Sequence, residues 1–263
     1  MMSKIQQLSN NRVAHYFEQG EGEPLVLIHG VGMQASAWYP QMEFFSKYYR
    51  VISVDMPGHG QSSPLADDAK LQDFVHWTIE FITALNVGPV NLAGHSMGSL
   101  ISTGVSVTRP DLVKRMAVLN GVYKRTSQAR NAVMRRAEEL KTGRIDVETP
   151  LQRWFGDSEI ERVASDHVKS WLESVDLSGY TTAYSAFACG DTVYADDWSK
   201  ISCPALVLTG THDPNSTAEM AIQMASQAQH GTAVVIENER HMVNLTAPEK
   251  VNNAMRIWLE TIV

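Results

Sequence analysis

Short apolar runs recur along the chain, and each stops at a glycine or a small polar turn. Leu25-Val26-Leu27-Ile28 ends at His29-Gly30, Val51-Ile52-Ser53-Val54 at Asp55, Val90-Asn91-Leu92-Ala93 at Gly94, and Met116-Ala117-Val118-Leu119 at Asn120-Gly121. Ala205-Leu206-Val207-Leu208 ends at Thr209-Gly210, and Ala233-Val234-Val235-Ile236 follows. Runs this uniformly apolar suit strands covered on both faces. Between them, Leu71, Phe74, Val75, Ile79, Ile82 and Leu85 fall on one helical stripe. Ser99 to Thr108 reads as a helix stopped before Pro110, and Pro248 opens a last helix carrying Val251, Met255 and Trp258. Strand and helix in alternation predict an α/β fold, a mostly parallel sheet with helices on both faces.

The rhythm breaks between about Val122 and Lys200, where helical and aromatic stretches replace it: Val133, Ala137 and Leu140 mark one helix, and Trp154-Phe155, Trp171, Tyr180, Tyr184 and Phe187 follow. Such an insertion between two strands of an open sheet is expected over the strand carboxyl ends, where ligands bind. The expected organisation is a core of 1–121 and 201–263 with a helical lid of 122–200.

Composition changes this picture little. The 263 residues are 44% hydrophobic and 19% charged, as in an ordinary globular protein, and carry a net charge of −7 with no block of like sign. That argues against nucleic acid as a partner, since phosphate binding needs a basic face, but leaves room for an anionic small molecule. Cys189 and Cys203 have no metal-type spacing and read as small buried hydrophobes in a reducing compartment. The first residues have no apolar run like a signal peptide, and no stretch approaches a membrane span, so cytoplasm is the expected location. A small-molecule substrate is the expected partner, with no membrane; a homodimer is compatible with the sequence.

The sharpest chemical signal is Gly94-His95-Ser96-Met97-Gly98, a G-x-S-x-G pattern directly after a strand and opening a helix. In such an elbow the serine is held in a tight turn, and side chains at the two glycines would meet neighbouring backbone. Serine is a weak nucleophile and needs a base within reach. His241, in the loop before the last helix, is the candidate base. Asp213, in Gly210-Thr211-His212-Asp213-Pro214, is the acid that orients it, following the chain order Ser…Asp…His. Asp191, Asp196 and Asp197 are the competing carboxylates, and an Asp before Pro is also a common turn former. An acyl-transfer site needs donors for the oxyanion, which places the backbone N–H groups of Val31, after His29-Gly30, and Met97 in that role. His29 and His59 read as structural hydrogen-bonders, while His95 and His212 flank the triad and shape the site.

His29-Gly30, Asp55-x-Pro57-Gly58-His59-Gly60-x-Ser62, the elbow, Gly210-x-x-Asp213 and His241 together resemble the α/β-hydrolase superfamily, over nearly the whole chain outside the lid. The resemblance implies the α/β-hydrolase fold and hydrolysis through an acyl-enzyme without a cofactor. Serine at the elbow, where haloalkane dehalogenases and epoxide hydrolases carry aspartate, disfavours those chemistries. The lid and its exit are similar to the 3-oxoadipate enol-lactonases and aminoacrylate hydrolases. Against that likeness, Ser99 follows Gly98 where the lactonases usually pair glycines. The expected activity is cleavage of an ester or lactone, or an amide, of a small organic acid. Carbon–carbon hydrolysis of a diketone and a hydrolase-derived ligand receptor are the alternatives, although Val31-Gly32-Met33 gives a shorter glycine run than carbon–carbon hydrolases usually have.

Among the lid arginines Arg125, Arg130, Arg135, Arg136, Arg153 and Arg162, the first choice to clamp a substrate carboxylate is Arg153, beside Trp154 and Phe155. Gly30, His95, Arg153 and Trp154 are the expected substrate-binding residues.

Overall fold

The computed structural model describes residues 1–143 and 145–263. The six apolar runs form strands β3 (Pro24–Ile28), β4 (Arg50–Val54), β5 (Val90–His95), β6 (Val113–Leu119), β7 (Pro204–Gly210) and β8 (His230–Ile236). Two more precede them, β1 (Met2–Gln7) and β2 (Val13–Gln19), giving an eight-stranded sheet of order β1-β2-β4-β3-β5-β6-β7-β8. β1, β2 and β4 pair antiparallel, and the other pairings are parallel.

The helices are α1 (Tyr39–Phe45), α2 (Leu71–Leu85), α3 (Met97–Thr108), α4 (Ser127–Leu140), α5 (Glu148–Trp154), α6 (Glu159–Ser174), α7 (Leu177–Gly190), α8 (Ala218–Gln227), α9 (Val243–Thr246) and α10 (Pro248–Leu259). α4 to α7 occupy the interval between β6 and β7. α4 and α6 are capped by Thr126 and Ser158, whose side chains accept from Ala129 N and Glu161 N. Asp176 does the same for α7 through Gly179 N.

The runs at the centre of the sheet are almost wholly apolar because both of their faces are covered. Val26 and Ile28 of β3, Met116 and Val118 of β6, and Val207 of β7 pack in a cluster with α2, α3 and the inserted helices. Their neighbours Leu25, Leu27, Ala117, Leu119, Leu206 and Leu208 face the opposite cluster, with α1 and α10. The period of two that a half-buried strand shows in its sequence is here a period of two in which cluster is faced.

The cysteines differ from expectation. Cys189 is exposed and Cys203 half-buried, and both are free thiols. Cys189 lies on the part of α7 that faces outward, with Met134 Sδ 3.5 Å away. Burial pushes the Cys203 thiol up to about 11, which keeps it protonated and unreactive.

Candidate active site

β5 passes into α3 through Ser96, whose φ of 54° and ψ of −114° lie outside the regions an L-residue favours. The surroundings impose this conformation. A Cβ on Gly94 would overlap the Gly98 carbonyl, and one on Gly98 would overlap the Ile28 carbonyl and come within 2.8 Å of His29 O. α3 is thus pressed against the end of β3, and its first N–H groups open beside Ser96, where their partial charge favours an anion. Ser96 N–H is itself tied to Leu119 O of β6 at 2.9 Å.

His241, in the turn between β8 and α9, reaches both other polar groups. Its Nε2 is 3.1 Å from Ser96 Oγ, and its Nδ1 is 2.8 Å from Asp213 Oδ2. A carboxylate oxygen accepts only, so Nδ1 carries the proton and the Nε2 lone pair faces the serine hydroxyl. Asp213 follows β7 in a turn that holds both its oxygens. Oδ1 accepts from Asn215 N at 2.8 Å and Ser216 N at 3.2 Å, and Oδ2 also accepts from Asn120 Nδ2 at 2.8 Å. Burial alone would raise this carboxyl, but the His241 ring and the convergent donors hold it below its usual range. Asn120, just past β6 with φ 50°, is a partner of Asp213 that pattern reading passes over; its signal is an asparagine where that strand run stops before Gly121.

Two rings stand close to the imidazole of His241: His95 is 5.1 Å away and Trp154, from α5, 5.3 Å away, centroid to centroid. His95 Nε2 donates to His241 O at 2.8 Å, and burial, followed by the His241 ring, pushes its pKa down to about 3. It is a neutral ring beside His241. Arg240 ties the same turn to the end of α5 by donating to Phe155 O at 2.6 Å.

These groups border a cavity of about 330 Å³. Gly30, Val31, His95, Ser96, Arg153 and Trp154 are on its wall, with His241. Met97 and Asp213 stand behind the wall, at 0% and 4% exposure. The loop after β3 is close to the serine, for a Cβ on Gly30 would lie 3.0 Å from Ser96 Cβ. Among the described residues the N–H groups of Val31 and Met97 donate to no protein acceptor. Arg153 lines the cavity but is exposed, and its Nη2 donates to Asn215 Oδ1 at 2.7 Å. Two other arginines of the segment between β6 and β7, Arg125 and Arg136, line it as well.

His29 and His59 hold backbone. Nε2 of His29 accepts from Met56 N and Nε2 of His59 from Gly32 N, both at 2.9 Å. His212 departs from expectation: its side chain is exposed and does not border the cavity, because only its backbone N–H is used, donating to Glu239 O at 2.9 Å.

Residues 25–254 match the alpha/beta hydrolase family. The chain belongs to that family. This hydrolase is 79% identical over 261 residues to the (E)-2-((N-methylformamido)methylene)succinate hydrolase of Acinetobacter baylyi, a match covering 99% of each chain. It is 28% identical over 232 residues to 3-oxoadipate enol-lactonase 1 of the same organism, covering 86% of this hydrolase and 84% of the lactonase. In fold it is similar to the enol-lactonase from Burkholderia xenovorans, with a TM-score of 0.89 over 98% of this hydrolase and all of that chain, at 24% identity. No helix among the described residues of this hydrolase is long and apolar enough to cross a membrane.

Proposed function

We propose that the chain is a serine amidohydrolase that removes the N-formyl group from an N-formyl-aminomethylene succinate through an acyl-enzyme on Ser96. The observation that carries this reading is His241, bridging Ser96 Oγ and a clamped, ionised Asp213 at the wall of the cavity. The substrate class is taken from the relative that is 79% identical, whose name describes a succinate bearing an N-methylformamide through a methylene carbon.

In the first step His241 Nε2 takes the Ser96 proton as Oγ attacks the formyl carbon, and Asp213 stabilises the imidazolium. The N–H groups of Val31 and Met97 receive the oxyanion. The carbon–nitrogen bond breaks as His241 returns the proton to the departing nitrogen. Water then attacks the formyl ester with His241 as base, giving formate and free Ser96. The nitrogen leaves well because its lone pair is conjugated through the double bond to a carboxylate. The same steps open an ester or lactone, the bonds expected from sequence; the formamide is preferred because of the relative's substrate. α4 to α7 act as the lid that closes the acyl-enzyme from bulk water, with Gly30, His95, Arg153 and Trp154 on the binding wall.

Incubation of the purified protein with (E)-2-((N-methylformamido)methylene)succinate in ¹⁸O-water should release one formate per substrate with the label in formate. Labelled formate without consumption of a second reagent supports hydrolysis at the formyl carbon. Consumption of substrate with no formate would sink the proposed bond assignment.

Asn120 supplies one of the two donors to Asp213 Oδ2. Asn120→Ala is expected to lower kcat about tenfold and to cost about 1–3 kcal/mol of stability, the usual penalty for a buried acceptor losing its partner. Urea melts and steady-state kinetics check this, and a variant with wild-type kcat would show that Asp213 needs no second donor.

A further inference from the structure

The charges around the cavity are one-sided. In a chain of net charge −7, three arginines line it (Arg125, Arg136 and Arg153) and, among the described residues, no aspartate or glutamate does. Arg125 is 7% exposed, unusual for an arginine, and its guanidinium lies over the Phe187 ring at 4.3 Å. Arg136 lies over the neighbouring Tyr184 ring at 5.7 Å, and the two rings are 5.9 Å apart, so both cations stand on one wall. Tyr184 registers all three: burial pushes its phenol up to about 12, while Arg136, Arg125 and Arg153 pull it the other way.

Their ion pairing is incomplete. Asp191, whose side chain is 0% exposed, is shared between Arg125 at 3.1 Å and Arg130 at 3.0 Å. Among the described residues the one carboxylate paired with Arg136 is the half-exposed Asp146 at 3.4 Å, whose carbonyl accepts at 2.7 Å, with the Tyr180 hydroxyl also beside it. Arg153 donates to a neutral amide. Four guanidinium groups thus meet two carboxylates, an excess of two positive charges. Arg125 Nη2 is buried and, among the described residues, has no hydrogen-bond partner. A buried cationic donor left without an acceptor is unfavourable until an anion supplies one.

We propose that Arg125 and Arg136 form the carboxylate-binding wall of this cavity and select dianionic over neutral substrates, with Asp191 as the residue that positions Arg125. The inference rests on the proposed reading of the site as hydrolytic, and it names what that site accepts. It also moves the main anion contact from Arg153, at the mouth, to the Arg125–Arg136 wall. Inside a partly closed cavity a carboxylate bonded to guanidinium is held more strongly than at an open surface.

The test is binding and does not depend on turnover. Methylenesuccinate, a dianion without a hydrolysable bond, is titrated calorimetrically into wild type, Arg136→Gln, Arg125→Gln and Arg135→Gln, with dimethyl methylenesuccinate as the neutral control. Wild type should bind the dianion in preference to the diester. Arg136→Gln and Arg125→Gln should each weaken the dianion by about tenfold or more, the value of one charge-assisted hydrogen bond. Arg135→Gln removes the same charge from an exposed position away from the cavity and should leave the affinity within about twofold. Arg136→Lys should recover part of the loss. If Arg125→Gln does not fold, because Asp191 is then buried beside one fewer cation, Arg136→Gln alone decides. Equal affinity for dianion and diester in wild type, or a dianion affinity in Arg136→Gln within about threefold of wild type, overturns the proposal. Failure of the hydrolytic reading would appear elsewhere, as turnover that survives loss of Ser96.

Discussion

Ser96→Ala should lower turnover by about 10,000-fold or more while leaving the melting temperature within about 2 °C of wild type. The first half follows from the covalent step. Without Oγ there is no atom for His241 to deprotonate, and what remains is whatever the oxyanion donors and the binding wall do for direct attack by water. The second half follows from the contacts of the side chain. Among the described residues Ser96 Oγ bonds only to His241 Nε2, while the fold is held through its backbone, by Ser96 N to Leu119 O and by Ser99 N to Ser96 O. Ser96→Gly adds a separate test of the elbow. At φ 54° an L side chain carries strain of about 1–3 kcal/mol, which glycine relieves, less about 0.4–1 kcal/mol for its greater freedom when unfolded. Ser96→Gly should therefore be as inactive as Ser96→Ala but more stable by about 1 kcal/mol. Denaturant melts and single-turnover kinetics on both variants check the pair. Substantial turnover in either would remove Ser96 as the nucleophile.

How much of this was legible in the sequence depends on how each feature is encoded. β3 to β7 announce themselves because burial on both faces favours apolar runs, and β8, at the edge and only partly buried, still carries Ala233-Val234-Val235-Ile236. β1 and β2 do not: Met2-Ser3-Lys4-Ile5-Gln6-Gln7 is an edge strand with four of its six residues exposed, so its pairing with β2 is backbone hydrogen bonding that few side chains report. α1 was missed for a related reason, since it is seven residues long and has Pro40 in its first turn, too short to show a period. The positions of Ser96, Asp213 and His241 were readable because a strand-to-helix elbow and two strand-end turns have local signatures. The proposed roles of Asn120, Arg125 and Arg136 depend on contacts across many residues. Asn120 meets Asp213 across 93 positions, and Arg125 meets Asp191 across 66 through its backbone N–H. No spacing rule singles out any of the seven arginines between residues 122 and 200; only the packing of Arg125 and Arg136 over Phe187 and Tyr184 of α7 does.

Acid should destabilise the protein well before its carboxylates titrate, and the buried histidines are the reason. His29, His59 and His95 are at most 2% exposed. Burial lowers the pKa of all three: well below 6.5 for His29, below 6.5 for His59, and to about 3 for His95. The hydrogen bonds give an independent reason for two of them, since Nε2 of His29 and His59 accepts from a backbone N–H and has no room for a proton. In the unfolded chain each histidine binds its proton near pH 6.5. Below that pH the unfolded state therefore holds more protons than the folded state, and stability falls as pH falls until each folded pKa is reached. The slope is up to about 1.4 kcal/mol per pH unit for each histidine. Asp213 acts in the same direction at lower pH: its depressed folded pKa gives stability that is lost only as the pH falls through the ordinary carboxylate range, so it contributes little to the fall above pH 5. Between pH 7.5 and 5 the three histidines together should remove about 4 kcal/mol or more, which is about 10 °C in melting temperature for a chain of this size. His59→Gln, whose neutral amide can still accept from Gly32 N, should show a shallower fall over the same range. A melting temperature that is flat from pH 7.5 to 5 would refute the buried-neutral assignment. Activity should respond to this histidine only at lower pH, where folded His59 takes up its proton, because His59 holds Gly32 and Gly32 adjoins Val31. A proton forced onto His59 Nε2 breaks that hydrogen bond and loosens the loop that carries one of the proposed oxyanion donors.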